Sequence, residues 1–174
     1  MRYLLVISAF ILTISTDASG RNYKKHSWGF GYGLGSVING NSRDDGGTLG
    51  LGSVFYEYHL NKNYGIHAKY NTGKSGANDR PDGEFDSSGY QLSFKAKTNI
   101  TENFGAYGRI GANFYDSEVA SGGGIDSSRG IGYVGALGLE VRTDNGFRFG
   151  LEAEYYAAGD IDVIGGNLFI GFSF

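Results

Sequence analysis

Apolar and polar side chains alternate along this chain with a period of two residues, from Ser27 to its last residue, Phe174. A period of two places successive side chains on opposite faces, which is the pattern of a β-strand whose two faces meet different surroundings. Turn-like segments interrupt the alternation and divide it into eight predicted strands. Their predicted ranges are 27–37, 48–60, 64–71, 90–97, 104–115, 131–142, 147–157 and 167–174.

In every predicted strand one face carries no charged residue and the other face is polar. The uncharged face is rich in Tyr, Phe, Leu and Ile, whereas the opposite face carries ten charged side chains among many Gly, Ala and Ser residues. A soluble barrel of the lipocalin kind would turn the apolar face inward. Eight strands enclose too little volume for so many large side chains. The pattern therefore favours an apolar face turned outward to lipid.

The predicted connections alternate between short and long. The short ones are Asn61 to Asn63, Asn99 to Asn103 and Thr143 to Gly146, and the longer ones are Ile38 to Gly47, Thr72 to Ser88, Asp116 to Ser128 and Ala158 to about Gly165. Outer-membrane barrels have short periplasmic turns and longer extracellular loops, and an even strand number returns both chain ends to one side. We therefore expect an all-β fold, an eight-stranded antiparallel transmembrane up-and-down β-barrel.

The first residues have the order of a secretory signal peptide. A positive start is followed by an uncharged, mostly apolar run over residues 3–15 and by small residues up to Gly20. The apolar run of about 13 residues is shorter than the ~20 that a membrane anchor needs. Cleavage after Ala18 and cleavage after Gly20 both fit. The expected divisions are a signal peptide at 1–20, a periplasmic N-terminal segment at 21–26, and the outer-membrane barrel at 27–174.

Composition and charge narrow the possible chemistry. The chain has no Cys, so a disulfide framework and a thiolate metal site are excluded. With 31 Gly, one Pro, 13 Tyr and 12 Phe, it resembles neither collagen, which needs Pro, nor disordered chains, which are poor in aromatic residues. The net charge of −3 is too small to indicate a nucleic-acid partner.

The polar faces predict a network of charges inside the barrel, because an unpaired charge in a narrow lumen is costly. Its predicted members, including two histidines, are Glu57, His59, His67, Lys69, Lys95, Lys97, Arg109, Glu140, Arg142, Arg148, Glu152 and Glu154. The expected neighbours are Glu57 with His67 and Lys69, Glu140 with Arg142 and Arg148, and Glu152 and Glu154 with Arg109 or the lysines across the lumen. We expect a salt-bridged plug, with a narrow water path beside the glycines of the first strand as the alternative.

No catalytic, cofactor or metal site is predicted. His59 and His67 flank one tight turn, and Glu57 is the only further ligand near them, so a polar network is favoured over a metal centre. The glycine-rich pieces GFGYGLG and SGGGIDS lack the Lys-Ser/Thr ending of a phosphate-binding loop. We expect neither a cofactor nor a bound metal.

The chain resembles the small outer-membrane β-barrel superfamily, typified by the OmpA transmembrane domain and the OmpX/Ail proteins. The resemblance is one of architecture over residues 27–174, and its most specific element is the last strand, NLFIGFSF. It implies an assembly signal, read by the barrel-assembly machinery, at Leu168, Ile170, Phe172 and Phe174. It also implies residence in the cell outer membrane, in contact with lipid and lipopolysaccharide.

The four predicted long loops hold three basic and eleven acidic residues, a net charge of −8. This acidic cap fits either solubility or a divalent cation or basic partner on a host or phage surface. The expected function is that of a non-enzymatic barrel contributing to envelope integrity or surface adhesion. Two alternatives are a small porin-like diffusion channel and a lipid A-modifying barrel enzyme, although no outward-facing Ser and His pair occurs near the outer strand ends.

Overall fold

The structure, a computed structural model, describes residues 24–39, 48–75, 85–121, 124–159 and 161–174. The predicted signal peptide and most of the first predicted long loop lie outside these residues. The described residues form eight strands: β1 (His26–Asn39), β2 (Thr48–His59), β3 (Tyr64–Ser75), β4 (Phe85–Asn99), β5 (Phe104–Ser121), β6 (Gly124–Arg142), β7 (Phe147–Ala158) and β8 (Ile161–Ser173). No segment among them forms a helix long and apolar enough to cross a membrane.

Each strand pairs antiparallel with the next, and β8 pairs with β1, so the sheet closes on itself. The closing seam runs from the pair Ser27 and Ser173 to the pair Asn39 and Ile161. Because the barrel is closed, every strand in the wall has a hydrogen-bonded neighbour on both sides, as a sheet inside lipid requires. The eight-stranded antiparallel barrel predicted from the alternation is thereby confirmed.

The two faces of the wall meet opposite environments. Tyr32, Ile131 and Leu168 on the outward face expose 68%, 70% and 64% of their surface. Glu57 and Arg148 on the inward face expose only 1% each. A continuous exposed apolar surface of this kind is foreign to soluble monomers, so the outward face is suited to lipid.

Glycines on the inward face make room for bulky side chains from neighbouring strands. A Cβ atom on Gly29 would lie 2.5 Å from the Phe55 ring, and one on Gly150 would lie 2.4 Å from the Phe169 ring. These rings fill space that larger residues in the wall would occupy. The interior is therefore packed rather than open, as eight strands lead one to expect.

The interior changes character along the barrel axis. A cluster of buried apolar side chains, which we call the apolar cap, occupies its extracellular end. Its members are Val37, Leu49, Leu51, Val134, Tyr156 and Val163. The buried ionic side chains lie between this cap and the periplasmic end.

The periplasmic turns are each closed by one side-chain oxygen. In each turn this oxygen accepts a hydrogen bond from the first backbone N–H of the next strand. Asn61 accepts from Tyr64 at 2.9 Å, Thr101 from Phe104 at 3.1 Å, and Thr143 from Phe147 at 3.0 Å. The third turn also contains Gly146 with a φ of 100°, a backbone conformation that favours glycine. These local bonds hold the three turns tight.

Two predicted long loops are wrong in extent. β5 continues to Ser121 and β6 begins at Gly124, so most of the predicted loop from Asp116 to Ser128 is strand. Likewise, β7 ends at Ala158 and β8 begins at Ile161. Alternation marks a strand only where its two faces meet different environments. In β6, the successive residues Ser127, Ser128 and Arg129 are all exposed, so this stretch carries no such signal. In β8, the inward Val163 is apolar and belongs to the apolar cap, so the usual contrast between the faces is lost.

The β5–β6 hairpin rises above its neighbours. β6 pairs with β5 as far as Gly124, but its pairing with β7 ends at Val134. The outer ten residues of β6 would extend roughly 30 Å at the usual rise of a strand. Ala157 and Gly159 at the end of β7 approach Gly132 and Ser128. No other described strand pairs with that side of β6, so beyond this contact the hairpin presents a sheet edge to the exterior.

The close approach of β4 and β5 can be tested at Gly111, where a Cβ atom would lie 2.0 Å from the backbone oxygen of Leu92. We expect Gly111→Ala to lower the free energy of unfolding by about 1–3 kcal/mol, because the backbone of β4 would have to move. Gly135→Ala is the matched control, since its Cβ would meet nothing within 4 Å, and should stay within about 0.5 kcal/mol of wild type. Urea unfolding in lipid vesicles, followed by fluorescence of Trp28, measures both, and equal stabilities would contradict the packing.

Candidate functional site in the barrel interior

The inward positions of six strands, β2 to β7, supply the ionic side chains of the interior. Of the twelve residues predicted for the lumen network, eleven are buried: Glu57, His59, His67, Lys69, Lys95, Lys97, Arg109, Glu140, Arg148, Glu152 and Glu154. The twelfth, Arg142, lies at the periplasmic mouth with 29% of its side chain exposed. The strands thus bring these residues together inside the barrel, where they form two separate clusters.

The first set, the periplasmic cluster, consists of Glu57, Lys95, Glu140 and Arg148. Lys95 Nζ lies 3.0 Å from Glu57 Oε2 and 3.3 Å from Glu140 Oε2. Arg148 Nη2 lies 3.0 Å and 2.6 Å from the same two oxygens. Each cation therefore bridges both carboxylates, and the four charges cancel.

The second set, the central cluster, consists of Lys69, Arg109, Glu152 and Glu154. Arg109 holds Glu152 in a bidentate pair, with Nε 2.9 Å from Oε2 and Nη2 2.8 Å from Oε1. Lys69 contacts both Glu152, at 3.3 Å, and Glu154, and Arg109 also contacts Glu154. Two cations again meet two anions, so the central cluster is neutral as well.

Neutral polar groups complete the hydrogen bonding of the central cluster. Gln91 Nε2 donates to Glu154 Oε1 at 2.8 Å, and Gln91 Oε1 accepts from Arg109 Nη1 at 3.0 Å. The Tyr107 hydroxyl donates to Glu152 Oε2 at 2.9 Å. Both residues were missed from the sequence because they are uncharged, although their inward strand positions would have identified them.

Aromatic side chains separate the two clusters. Phe55 stacks on His67 with a centroid distance of 5.3 Å and meets Phe169 edge-on at 5.6 Å. Lys95 Nζ lies 3.8 Å from the centre of the Tyr107 ring. The space left beside these rings is a cavity of about 20 Å³ lined by residues of both clusters. It has room for about one water molecule, so it is not a continuous channel.

The pairing of Glu57 differs from the expectation. The register places Glu57 directly opposite His67, as expected, but Lys69 pairs with Glu152 and Glu154 instead of Glu57. The long lysine side chain crosses the lumen to a facing strand because the carboxylates there lie at its height. The expected contacts of Glu140 with Arg142 and Arg148, and of Arg109 with both upper carboxylates, are present.

One set of contacts has the arrangement of a catalytic triad, with Ser27 in the place of the nucleophile, His59 of the base and Glu57 of the acid. Ser27 Oγ lies 2.7 Å from His59 Nε2, and His59 Nδ1 lies 3.1 Å from Glu57 Oε1. The serine exposes none of its surface, and its Oγ also lies 2.9 Å from Ser173 Oγ. Glu57 is already engaged by Lys95 and Arg148. These contacts suit a buried hydrogen-bond relay that fastens β1, β2 and β8, rather than a nucleophile open to substrate.

Metal binding finds no support in the described ranges, which contain no group of three or more His, Cys, Asp or Glu side chains placed to hold an ion. His67 packs on Phe55, and His59 contacts Ser27 and Glu57. The described interior residues thus form a set of ion pairs and hydrogen bonds that fill the lumen.

The residues of the expected assembly signal lie on the outward face of the last strand. Leu168, Ile170 and Phe174 expose 64%, 48% and 55% of their surface. Phe174 exchanges backbone hydrogen bonds of 3.1 and 2.9 Å with His26, and the His26 ring stacks on it at 5.6 Å. The end of the chain therefore closes the barrel against the start of β1.

Comparison with known proteins gives one family match. The family model described as outer membrane protein beta-barrel domain matches residues 5–174. No curated protein matches the sequence.

Solved structures share the fold at low identity. The attachment invasion locus protein Ail of Yersinia pestis is 20% identical with a TM-score of 0.65, and the match covers 88% of this chain and 100% of Ail. Neisserial surface protein A is 11% identical with a TM-score of 0.73, covering 86% and 97%. OprG from Pseudomonas aeruginosa is 14% identical with a TM-score of 0.59, covering 91% and 99%.

Removal of one cation tests the dependence of the fold on the periplasmic cluster. We expect Arg148→Met to lower the free energy of unfolding by about 3–5 kcal/mol, because Lys95 alone would then face two buried carboxylates. Lys74→Met is the matched control, since Lys74 pairs with Asp86 while 77% exposed, and should cost at most about 1 kcal/mol. Urea unfolding in lipid vesicles measures both variants. A loss for Arg148→Met no greater than that of the control would contradict the role of the cluster.

Proposed function

We propose, from the premise that this chain belongs to the family of outer membrane protein β-barrel domains, that it is a non-enzymatic surface barrel. Its sealed interior holds the wall together, and its extracellular sheet contacts other molecules or contributes to envelope integrity. In this proposal residues 1–20 are removed as a signal peptide, residues 21–26 remain in the periplasm, and the last strand is read by the barrel-assembly machinery.

The observation that carries this proposal is the projecting β5–β6 hairpin. Its outer part lies beyond the pairing of β6 with β7, so among the described residues one edge of β6 there has no paired strand. An open edge can add a strand from another protein through main-chain hydrogen bonds. Arg129 Nε donates to Asp116 Oδ2 at 3.1 Å across the hairpin, which supports a stiff surface rather than a loose loop.

The charge of the exterior favours a basic partner over a polyanion. The predicted extracellular loops have a net charge of −8. A structure of Ail was determined in complex with the heparin analogue sucrose octasulfate, which is strongly anionic. Electrostatic complementarity would disfavour such a ligand on the acidic loops of this chain. A basic host or phage surface is the better match.

Paired aromatic rings support outer-membrane lipid and lipopolysaccharide as further partners. Tyr70 and Tyr90 pack 4.9 Å apart, and Tyr133 and Tyr155 pack 5.6 Å apart, toward the extracellular end. Phe147 and Phe172 pack 5.3 Å apart toward the periplasmic end. Aromatic rings at both ends of an apolar band are the usual anchors at the two membrane interfaces.

A lipid A-modifying enzyme is less well supported. Such an enzyme needs a nucleophile and a base near the outer leaflet. Both strand histidines point inward, and His59 ends β2 at the periplasmic turn. The Ser27–His59 pair is therefore at the wrong depth for lipid A and is closed to lipid.

A diffusion channel is the second alternative, and the packed interior argues against it. Two neutral ion clusters, an aromatic layer and the apolar cap lie in sequence along the axis. Any ion passing through would have to displace all of these groups. The interior therefore supports a sealed barrel.

Shortening the hairpin tests the proposed surface role. Glu118 and Ser127 face each other across β5 and β6, so residues 119–126 can be replaced by Asn-Gly, which favours a tight two-residue turn. We expect this variant to reach the outer membrane and to keep the altered gel mobility of a folded barrel. We also expect attachment of the expressing cells to an epithelial cell layer to fall to the level of cells without the protein. Full attachment by cells expressing the shortened variant would refute a contact role for the hairpin. If these cells lose attachment but are no more sensitive to detergent than cells with the wild-type protein, the hairpin acts in contact and not in envelope integrity.

Electrical recording separates a sealed barrel from a channel. We expect the purified wild-type barrel in a planar bilayer to give no large, steady conductance, because the ionic clusters and the apolar cap block the lumen. An open outer-membrane porin of larger diameter is the positive control, and protein-free detergent is the negative control. A stable open level in most insertions of the wild-type barrel would favour the channel.

A further inference from the structure

The ionic charges of the interior do not balance along the barrel axis. The central cluster and the periplasmic cluster each contain two cations and two anions. The two remaining charged residues of the lumen, Lys97 and Arg142, are both basic and both lie at the periplasmic mouth. When both side chains are protonated, the interior has an excess of two positive charges at that one end.

Lys97 is buried without an ionic partner. It exposes 5% of its surface, and in the described part of the chain no carboxylate oxygen lies within 4.0 Å of its Nζ. The nearest carboxylate candidate on a facing strand, Glu140, uses Oε2 for Lys95 and Arg148 and Oε1 for Arg142. A buried ammonium group with no counter-charge is costly, so an anion bound beside Lys97 would stabilise its charged form.

Arg142 has a free donor beside the same space. Its Nη2 contacts Glu140, but its Nε is buried and has no hydrogen-bond partner among the described residues. The planar guanidinium group suits the oxygen atoms of a phosphate or sulfate better than a spherical halide. Because 29% of the Arg142 side chain is exposed, an anion could approach from the periplasm.

The strand between the two cations has only a glycine at this level. Lys97 is on β4 and Arg142 ends β6, so β5 lies between them. The β5 residue at this level is Gly105, which pairs with Asn99 on one side and with Glu140 on the other. Gly105 has no side chain to fill the lumen there.

We propose that the periplasmic mouth binds one small inorganic oxyanion of the phosphate class between Lys97 and Arg142. Hydrogen phosphate carries two negative charges, which match the two excess positive charges. The Lys97 ammonium group and the Arg142 Nε–H donate to its oxygen atoms. This site is distinct from the proposed extracellular contact surface and does not depend on it.

Nuclear magnetic resonance of the folded barrel in maltoside micelles, which contain no phosphate, tests the proposal. We expect sodium phosphate at pH 7 to shift the Gly105 amide and the Arg142 Nε–H signals to saturation, whereas sodium chloride at equal ionic strength does not. Lys97→Met should weaken phosphate binding at least ten-fold, and Lys97→Arg should retain it. Lys25→Met is the matched control, because Lys25 is exposed at the same end outside the lumen, and it should bind phosphate like wild type.

Three results would overturn the proposal. The first is an equal response of the wild-type barrel to phosphate and chloride. The second is a Lys97 side chain that remains an uncharged amine at pH 7 in saturating phosphate. The third is a response to short-chain phosphatidylglycerol alone, which would identify a lipid headgroup instead. Since all three are measured on wild-type protein, the test stands even where Lys97→Met does not fold.

Discussion

Backbone hydrogen bonding inside lipid is the constraint on which the rest of this structure depends. A sheet in a membrane cannot leave an open edge, so β8 must return to β1 and the wall must close. With eight strands the closed wall encloses a space only as wide as the side chains that line it. Every inward side chain must therefore find its partners among the other inward side chains. The size and charge of one inward residue thus limit which residues can occupy the positions facing it.

This limit explains why the interior is organised in neutral sets. A carboxylate such as Glu57 or Glu152 has no bulk water beside it, and each is met by two cations. The space for bulky aromatic side chains beside these charges comes from glycines on the wall, as at Gly138, where a Cβ would lie 2.3 Å from the Tyr107 ring. The lumen is thus filled both by paired charges and by the aromatic rings for which the glycines leave space.

The sequence reveals the faces of the wall better than the contacts within it. Alternation alone assigned Glu140 and Arg148 to the lumen, and their positions across one tight turn made their contact predictable. The expected pairing of Lys69 with Glu57 was wrong, whereas the expected reach of Glu152 and Glu154 to a lysine across the lumen matches Lys69. Strand tilt and stagger decide which side chains share a height there. The outer half of the β5–β6 hairpin was missed for another reason: once both faces meet water, a strand loses its alternating pattern.

A filled lumen moves the possible sites of function to the two ends of the barrel. The exterior end has the acidic loops and an edge of β6 with which no described strand pairs beyond β7. At the periplasmic end, Lys97 has no carboxylate partner and Arg142 Nε has no hydrogen-bond partner among the described residues. Charges of opposite sign at the two ends cannot neutralise each other, because the apolar cap and the two ion clusters lie between them. Each end must therefore obtain its counter-charge from its own compartment, so the two surfaces are expected to act independently on different ligands.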